Sequence, residues 1–481
     1  MEYNFKTKPY DHQHQAWKDS WSAEYYALFM EMGTGKSKVA IDTIGALYTT
    51  EKINAALIVA PKGVYDNWVK GEIPAHLSDN VKRMIVRWTP SSAKKFQEEM
   101  KELVYESFEG LKIFVMNVEA LSTPRGTKAA FAFLKNNPDN IMVVDESTTI
   151  KNRKATRTKN VMMLSDEAKY RRILTGSPVT KSPMDLFAQC TFLAERALGF
   201  NSYYAFQNRY AVVQKRKMGN RAFQEIVAYR RLDELNEKLE KFSNRILKED
   251  CLDLPDKVYT KREVPLTDEQ KKLYVQMKKL ALAQLDNGEL STTASVLTQI
   301  MRLQQICCGH ITDDDGNIVS VTSNRYKELV DICDELQGKA IIWATYTQDI
   351  QQIASALRDR FGPEAVATYY GATVQDDRQD IVSKFQDKDS ELRFFVGQPK
   401  TGGYGITLTA ANTVIYFSNS YDLEIRLQSE DRAHRISQSN KVTYVDLVAP
   451  DTIDEKILKA LRSKIDLAGK VLGEEARDWL L

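Results

Sequence analysis

The chain has 481 residues, 43% of them hydrophobic and 27% charged, which suits about three compact units and excludes a disordered or fibrous protein. Lys and Arg number 67 against 65 Asp and Glu, so the net charge of +2 excludes a globally basic protein, and any nucleic-acid site must be a local basic track. The five cysteines contain no C-x-x-C pair, which argues against a zinc module or disulfide scaffold. No apolar run approaches the roughly 18 residues that span a bilayer, and the N-terminus lacks a signal-peptide pattern. We expect a soluble intracellular protein with no membrane partner.

Short apolar runs in the first 180 residues predict a parallel sheet. Strands buried on both faces read as continuous apolar stretches, and parallel strands need helical crossovers between them. A segment with helical periodicity, residues 36–48, separates the first two runs. The runs lie at 25–30, 56–60, 112–116, 141–145 and 172–175.

The remainder of the chain predicts a helical middle and a second sheet. Residues 182–310 read as mostly helical and rich in charge, notably at 232–242 and 267–285. From Lys339 onward apolar strand-like runs return, and residues 453–481 read as amphipathic helix. These runs lie at 340–344, 394–397, 413–417 and 442–448. The predicted fold class is therefore α/β, with two doubly wound parallel-sheet lobes flanking a helical middle.

The segment MEMGTGKS, residues 30–37, has the composition of a phosphate-binding loop. Such a loop needs Gly where the backbone curls around an anion, a Lys that reaches the β/γ-phosphates, and a hydroxyl that holds Mg²⁺. Gly33, Gly35, Lys36 and Ser37 supply these parts between a predicted strand and a predicted helix. Met30 stands where the strict Walker pattern has its first Gly, so the match is to a looser variant, and an ordinary turn is the alternative.

An acidic pair follows a later strand. In IMVVDES, Asp145 ends the apolar run and would hold Mg²⁺, while Glu146 would orient and polarise the attacking water. Taken alone, such a pair is usually a solvated loop. Its position after MEMGTGKS favours an ATPase.

These motifs resemble those of the Swi/Snf-type ATPases of helicase superfamily two, as in a compact bacterial or phage-like member. The resemblance runs from about Tyr10 to Leu458 in the family's motif order. HQHQ at 12–15 resembles the adenine-reading glutamine motif, with Gln13 the better candidate and Gln15 the alternative. Further segments that resemble family motifs are LIVAPKGVYDNWVKGEI, VVDESTTIKN, LTGSPVTKSPMDLF, WATYTQDI, YYGATVQDDRQDIVSKF, PKTGGYGITLTAANTVIYF and QSEDRAHRISQ.

Two positions depart from the family's spelling. The family usually has Ala-His after the Asp-Glu pair, where this chain has Ser147 and Thr148. In the family that His helps to link nucleotide state to the coupling motif, which LTGSPVTKSPMDLF resembles. The second departure is Ser437, where Gly is usual.

The resemblance implies RecA-like lobes and a helical brace. It implies that Arg432 and Arg435, on one face if that segment is helical, are arginine fingers that make hydrolysis depend on lobe closure. Surface ion pairing is the alternative for these arginines. The resemblance also adds Thr34 and Gly405 to the ATP-binding residues. The implied boundaries are 1–195 for lobe 1, 196–250 for an insertion closing it, 251–320 for a linker and insertion, 321–452 for lobe 2 and 453–481 for brace helices.

Duplex DNA, held by its phosphates without sequence reading, is the partner that the resemblance implies. The candidate contacts are Lys62, Lys151, Asn152, Arg378 and Lys400. A solvated charged face is the alternative for the basic run at 151–159.

Residues 203–231 begin with Tyr203 and Tyr204. The part that follows predicts a β-hairpin with a basic tip around a Gly219-Asn220 turn. An aromatic support under a solubilising hairpin is one interpretation. Contact with DNA, or wedging at a junction, is the other, and a similar segment in members resembling annealing helicases favours branched or fork DNA. Cys307, Cys308 and His310 lack a fourth ligand and favour core packing over a metal site.

Three functions remain open at this point. The first is a DNA-stimulated ATPase that translocates along duplex or branched DNA, or displaces bound protein, acting as a monomer in the cytoplasm of a bacterial cell or phage-infected host. The second is the motor subunit of a restriction or defence complex whose nuclease is on another chain. The third is a DNA-binding scaffold switched by ATP with weak hydrolysis. The motif spellings disfavour an RNA-directed motor.

Overall fold

A computed structural model of the protein describes most of the chain. The described residues are 3–62, 64–218, 221–286, 293–313, 316–374, 377–402, 406–436 and 438–473. They divide into two compact units. Within the described part, the first unit comprises residues 3–213, 226–253 and 467–473, and the second comprises 214–225 and 254–466.

The first unit is built on a seven-stranded parallel sheet. Its strands, in spatial order, are Arg83–Arg87, Leu111–Asn117, Ala55–Ala60, Asn140–Asp145, Tyr170–Leu174, Tyr25–Met30 and Ser243–Ile246. Its α-helices are Asp11–Ser20, Lys36–Thr49, Tyr65–Asn67, Ile73–His76, Lys94–Tyr105, Pro124–Asn136, Thr156–Ser165, Asp185–Leu193, Tyr203–Tyr210, Leu232–Leu239 and Lys248–Cys251. A π-helical turn spans Trp68–Glu72, and 3₁₀ turns span Val118–Ser122 and Ser147–Ile150.

Both faces of this sheet are buried. Along Tyr25–Met30, Ala27 and Phe29 pack in one hydrophobic core, whereas Leu28 and Met30 pack in another. Because successive side chains of a strand point to opposite faces, a strand with two buried faces must be apolar at nearly every position. This explains the continuous apolar runs.

The second unit repeats the arrangement with six parallel strands. In spatial order these are Lys257–Glu263, Val442–Val448, Ala411–Tyr416, Lys339–Trp343, Phe394–Gly397 and Val366–Tyr369. Its helices include Asp268–Asp286, Thr293–Cys308, Arg325–Glu335, Thr347–Phe361, Pro363–Ala365 (a 3₁₀ turn), Asp377–Gln386, Pro399–Gly402 and Leu423–Glu430. The helix Ile453–Leu472 follows the last strand, and a two-stranded sheet pairs His310–Thr312 with Ile318–Ser320. Ala340 and Ile342 lie in one core and Ile341 and Trp343 in the other, so this sheet is also covered on both faces.

The predicted fold class, α/β with two doubly wound parallel sheets of the RecA-like type, is confirmed. The two strands of the predicted hairpin are present as Ala211–Met218 and Arg221–Tyr229, which form a sheet of their own, while its turn lies outside the described residues. The final helix is described to Leu472, and the last eight residues of the predicted segment lie outside the described part.

The sequence-based interpretation missed the short strands His310–Thr312 and Ile318–Ser320 and four strands of the two large parallel sheets. The four in the large sheets are Arg83–Arg87, Ser243–Ile246, Lys257–Glu263 and Val366–Tyr369, and they are the edge strands of those sheets. An edge strand is only partly covered, so its sequence carries polar residues and lacks a continuous apolar run. The expectation that residues 182–310 are mostly helical is wrong where Ser243–Ile246 and Lys257–Glu263 extend the sheets.

Candidate nucleotide-binding site

The phosphate-loop motif connects the strand Tyr25–Met30 to the helix that begins at Lys36. Gly33 and Gly35 have φ angles of 83° and 94°, in the left-handed region that side chains with a Cβ rarely adopt. A Cβ on Gly35 would also lie 2.2 Å from Nε2 of Gln13. Both glycines are therefore required by the turn that presents the helix N-terminus.

Polar contacts hold the loop in this conformation. The Thr34 hydroxyl and the Lys36 ammonium group donate to the carbonyl oxygen of Glu31, over 2.7 and 3.3 Å. The Glu31 carboxylate accepts from the backbone N–H of Lys248 at 2.8 Å. Lys36 is buried and Ser37, in the first helical turn, is half-buried. The loop thus carries its lysine and hydroxyl at the end of the helix that favours anions.

The two candidate glutamines differ in their surroundings. Gln13 is buried, and its Nε2 donates to the carbonyl oxygen of Thr34 at 3.1 Å, while its Oε1 accepts from the backbone of Tyr10. Gln15 donates to Asp19 at 2.7 Å on the exposed side of the same helix. Only Gln13 contacts the phosphate loop, so the geometry favours it over the alternative.

Asp145 lies at the end of a central strand and is buried. Its Oδ2 accepts from the Trp68 indole Nε1 at 2.9 Å, and its Oδ1 accepts from the Glu146 backbone N–H at 2.9 Å. Burial raises the pKa of this carboxyl group, and the Trp68 hydrogen bond and the charge of Lys36 oppose that rise. Because Tyr25–Met30 and Asn140–Asp145 are parallel strands of one sheet, the phosphate loop and Asp145 follow strand ends at the same edge of that sheet.

Glu146 has a strained backbone for a residue with a side chain, with a φ of 46°. Its Oε2 accepts from the Thr175 hydroxyl at 3.3 Å, at the end of the adjacent strand Tyr170–Leu174. This contact joins the candidate water-polarising carboxylate to Thr175, the second residue of the segment LTGSPVTKSPMDLF.

The departure at Ser147 and Thr148 forms a buried polar connection. The Ser147 hydroxyl donates to Oε1 of Gln189 at 2.7 Å, and the Gln189 amide donates to the Pro178 carbonyl at 2.8 Å. Lys151 makes a second link, donating to the Thr180 hydroxyl at 2.7 Å. The acidic motif is thus hydrogen-bonded at several points to the segment that resembles the coupling motif.

The second unit contains the candidate arginine fingers. The helix Leu423–Glu430 ends before them, so the helical arrangement that would place both on one face is absent at these two residues. Arg432 is buried and donates to the carbonyls of Gln428 at 2.9 Å and Ile406 at 3.0 Å. Arg435 is half-buried and donates to the Thr407 hydroxyl at 3.1 Å. Both arginines therefore contact the irregular segment at 406–407. The candidate Gly405 and the variant position Ser437 lie outside the described residues.

The candidate DNA contacts are mixed in exposure. Lys62, Asn152 and Lys400 are exposed, whereas Lys151 is partly buried against Thr180. Arg378 donates to the carbonyls of Thr373 and Tyr370 at 3.3 Å each, so it supports its own loop.

The described residues contain no group of three or more His, Cys, Asp or Glu that could hold a metal ion. Cys307 and Cys308 are buried in separate hydrophobic cores, and the ring of the buried His310 lies 3.1 Å from Asp349. These positions suit the core interpretation of this segment.

Several site residues were missed from the sequence. Trp68 belongs to the quoted segment LIVAPKGVYDNWVKGEI, and this conspicuous residue could have been given a role. Thr175 and Gln189 are polar residues within or just after a quoted motif, but only packing shows what they contact. Lys248 lies far along the chain, yet its Cε is 3.7 Å from where a Cβ of Gly33 would stand, and no sequence signal points to it.

The parallel-sheet unit with a phosphate loop, a strand-end Asp-Glu pair and a second parallel-sheet unit defines the helicase-like nucleotide-binding class. Residues 22–311 match the SNF2-related domain, and residues 324–437 match the helicase conserved C-terminal domain. The chain belongs to the SNF2-related family.

Named relatives come from eukaryotes and bacteria. The chain is 28% identical over 468 residues to the SWI/SNF chromatin-remodeling complex subunit snf22 of Schizosaccharomyces pombe, covering 92% of this chain and 26% of that protein. It is 27% identical over 448 residues to an uncharacterized ATP-dependent helicase of Mycoplasma genitalium, covering 92% of this chain and 40% of that protein. The chain therefore spans two-fifths or less of the length of these relatives.

A solved structure of similar extent is the Sulfolobus solfataricus SWI2/SNF2 ATPase core in complex with dsDNA. It is 24% identical, the match covers 98% of this chain and 96% of that chain, and the TM-score is 0.42. Among the described residues, no helix is both long and apolar enough to cross a lipid bilayer.

Proposed function

We propose that this protein is an ATP-dependent motor that binds duplex DNA without sequence specificity and couples hydrolysis to translocation or remodelling of that DNA. The observation that carries the proposal is the grouping of Lys36, Asp145 and Glu146 at one end of the first sheet. Family membership supports the same activity.

Each residue of the group has a chemical task in the proposal. Lys36 and the N–H groups of the loop bind the β- and γ-phosphates, and Gln13 binds the adenine. Glu146 orients the attacking water and accepts its proton, and Thr175 positions the Glu146 carboxylate. Arg432 and Arg435 supply positive charge that the γ-phosphoryl group needs as it transfers.

Mg²⁺ fits the donors that the chain offers. A buried Asp145 carboxylate and the Ser37 hydroxyl are hard oxygen donors, and a cation would relieve the cost of burying the Asp145 charge. Because no larger ligand cluster exists among the described residues, phosphate oxygens and waters would complete the coordination. When bound, the ion would neutralise charge on the phosphates.

DNA binding in the proposal rests on local basic residues. The exposed Lys62, Asn152 and Lys400 would contact backbone phosphates, with Lys151 and Arg378 nearer the protein interior. Such contacts give sequence-independent binding that weakens steeply with salt. Lys151 has a further task, because its link to Thr180 joins the DNA-binding segment to the coupling segment.

ATP turnover with and without duplex DNA tests the proposal. We expect duplex DNA to stimulate turnover, and we expect Lys36→Ala and Glu146→Gln to abolish turnover while leaving duplex affinity largely intact. Lys94→Ala is the matched control for charge removal, since Lys94 is exposed and belongs neither to the phosphate loop nor to the candidate DNA contacts. Absence of stimulation by any duplex would contradict the motor, and retained turnover in Glu146→Gln would remove that residue from its role.

A further inference from the structure

An arginine and two tyrosines form a compact patch beside the basic segment of the first unit. The guanidinium carbon of Arg153 lies 4.2 Å from the ring centroid of Tyr203 and 5.4 Å from that of Tyr204. The two tyrosine rings are 5.8 Å apart and nearly perpendicular. We call Arg153, Tyr203 and Tyr204 the tyrosine patch.

The patch is anchored to the core of its unit. Tyr203 packs edge-on against Phe187 at 5.6 Å, and Phe187 packs on the fully buried Phe206 at 5.5 Å. The Ser202 hydroxyl accepts from the Ala205 backbone and caps the helix that carries both tyrosines. This support restricts where the Tyr204 ring can lie.

Tyr204 is the exposed end of this aromatic series. Tyr204 is 60% exposed, whereas Tyr203 is half-buried, and burial raises the pKa of Tyr203. An exposed aromatic ring of this size, supported by buried aromatic side chains, is well suited to stack against a flat partner.

The surroundings indicate a nucleic-acid partner. Arg153 belongs to KNRKATRTK, in which five of nine residues are basic, and the neighbouring Asn152 and Lys154 are exposed. The N–H donors of a guanidinium group lie in its own plane. When the group stacks on a tyrosine ring, these donors remain available for phosphate oxygens. Stacking aromatics interleaved with phosphate-binding cations are characteristic of sites for unpaired nucleotides.

A fully paired duplex exposes base faces only at its ends, since every internal base is stacked between neighbours. The phosphate contacts of the proposed motor do not need an aromatic ring. A ring beside those contacts gains a partner where a strand is interrupted, frayed or branched.

We propose that the tyrosine patch binds an unpaired nucleobase of DNA at a fork, gap or branch, with the base stacked on Tyr204 and the flanking phosphate bound by Arg153 and Lys154. This inference rests on the proposed function and names the DNA structure that the motor recognises. It assigns Tyr204 to recognition of the substrate and gives it no part in hydrolysis.

The test compares affinity for a plain duplex and for a forked duplex of the same length carrying 2-aminopurine at the first unpaired position. For the wild type we expect tighter binding of the fork and quenched 2-aminopurine fluorescence, because stacking quenches this base. Tyr204→Ala should weaken fork binding about tenfold and abolish the quenching, while plain-duplex affinity stays unchanged. Tyr204→Trp should retain both properties.

Tyr105→Ala is the matched control, since Tyr105 is 66% exposed in the same unit and belongs to a different helix. Equal weakening of fork and duplex binding by Tyr204→Ala, or no effect on either, would overturn the inference. A wild type that does not distinguish fork from duplex would overturn it too, while duplex-stimulated turnover would still support the proposed motor. Loss of all DNA stimulation would instead contradict the motor itself.

Discussion

Trp68 makes the strongest contact that opposes the effect of burial on the pKa of the candidate metal-binding carboxylate. Its N–H donates to Asp145, in a place where burial raises the pKa of the acid. A hydrogen bond to the ionised form lowers a pKa, so this contact and the charge of Lys36 both lower the pKa of Asp145, against the larger effect of burial. The sequence showed the tryptophan but not its partner, since 77 residues separate them.

Trp68→Phe should therefore make turnover more sensitive to acid. Without the indole N–H, the pKa of Asp145 rises further, and the protonated, inactive form persists to higher pH. We expect the acidic limb of the pH–rate profile to move upward, with lower turnover at neutral pH. Trp88→Phe, a change at another buried tryptophan of the same unit, serves as control. Coinciding acidic limbs in the wild type and Trp68→Phe would contradict this role.

A buried Lys38–Asp42 pair in the helix after the phosphate loop predicts a pH-dependent stability. Lys38 donates to Asp42 at 2.7 Å, and burial raises the pKa of Asp42 to about 6 despite the lysine. Two neighbouring groups respond to this pair. Burial, followed by the charge of Asp42, raises the pKa of Tyr3, and burial, followed by the charge of Lys38, lowers the pKa of His76. Since the unfolded pKa is about 4, the native state holds an extra proton between pH 4 and 6.

The free energy of unfolding should fall as pH rises through that interval, by at most about 1.4 kcal/mol per pH unit from this group. Asp42→Asn removes the titration. The melting temperature of the wild type, relative to Asp42→Asn, should therefore decline from pH 4 to pH 6, as followed by circular dichroism. Asp11→Asn, an exposed change in the preceding helix, should show no such trend. A constant difference between the wild type and Asp42→Asn across this range would be incompatible with the raised pKa.

At the scale of elements, the interior strands were predictable from sequence and the edge strands were not. Tyr25–Met30 and Asn140–Asp145 are apolar throughout because both their faces are buried. Ser243–Ile246 is half-buried at the edge of its sheet, and only its pairing with Tyr25–Met30 identifies it as a strand. This edge strand also leads into Lys248 beside the phosphate loop, so the missed element and the missed site residue have one cause.

The connection from Ser147 through Gln189 to Pro178 joins a strand end to a neighbouring helix and the coupling segment. We expect Ser147→Ala to reduce the ratio of DNA-stimulated to basal turnover, because Glu146 and residues 178–180 then move less tightly together. Gln189→Leu should do the same, and the double variant should be no worse than either alone. Thr191→Ala is the control, since the Thr191 hydroxyl lies on the same helix and donates to the carbonyl of Phe187 within that helix.

A full additive loss in the double variant would show that the two side chains act separately. Unchanged stimulation ratios in both single variants would contradict a coupling role for this connection. Basal turnover and thermal melting, recorded alongside, distinguish lost coupling from the general destabilisation expected when a buried hydrogen-bonding group loses its partner.

At the scale of the whole molecule, the two sets of apolar runs predicted two parallel-sheet units, and both are present. The near-neutral total charge could not locate a DNA surface, because binding would depend on short basic segments such as 151–159. The sequence shows that those segments are basic, but it does not show which contacts each basic residue makes. Lys151 donates a hydrogen bond to Thr180, and Arg378 donates to the carbonyl of Thr373 in its own loop.

Displacement of a triplex-forming strand from duplex DNA tests the motor most directly, since a translocating protein removes the third strand without separating the duplex. We predict release of that strand by the wild type with ATP and Mg²⁺, and none by Glu146→Gln or with a non-hydrolysable ATP analogue. A wild type that hydrolyses ATP on duplex DNA yet leaves the third strand bound would contradict translocation.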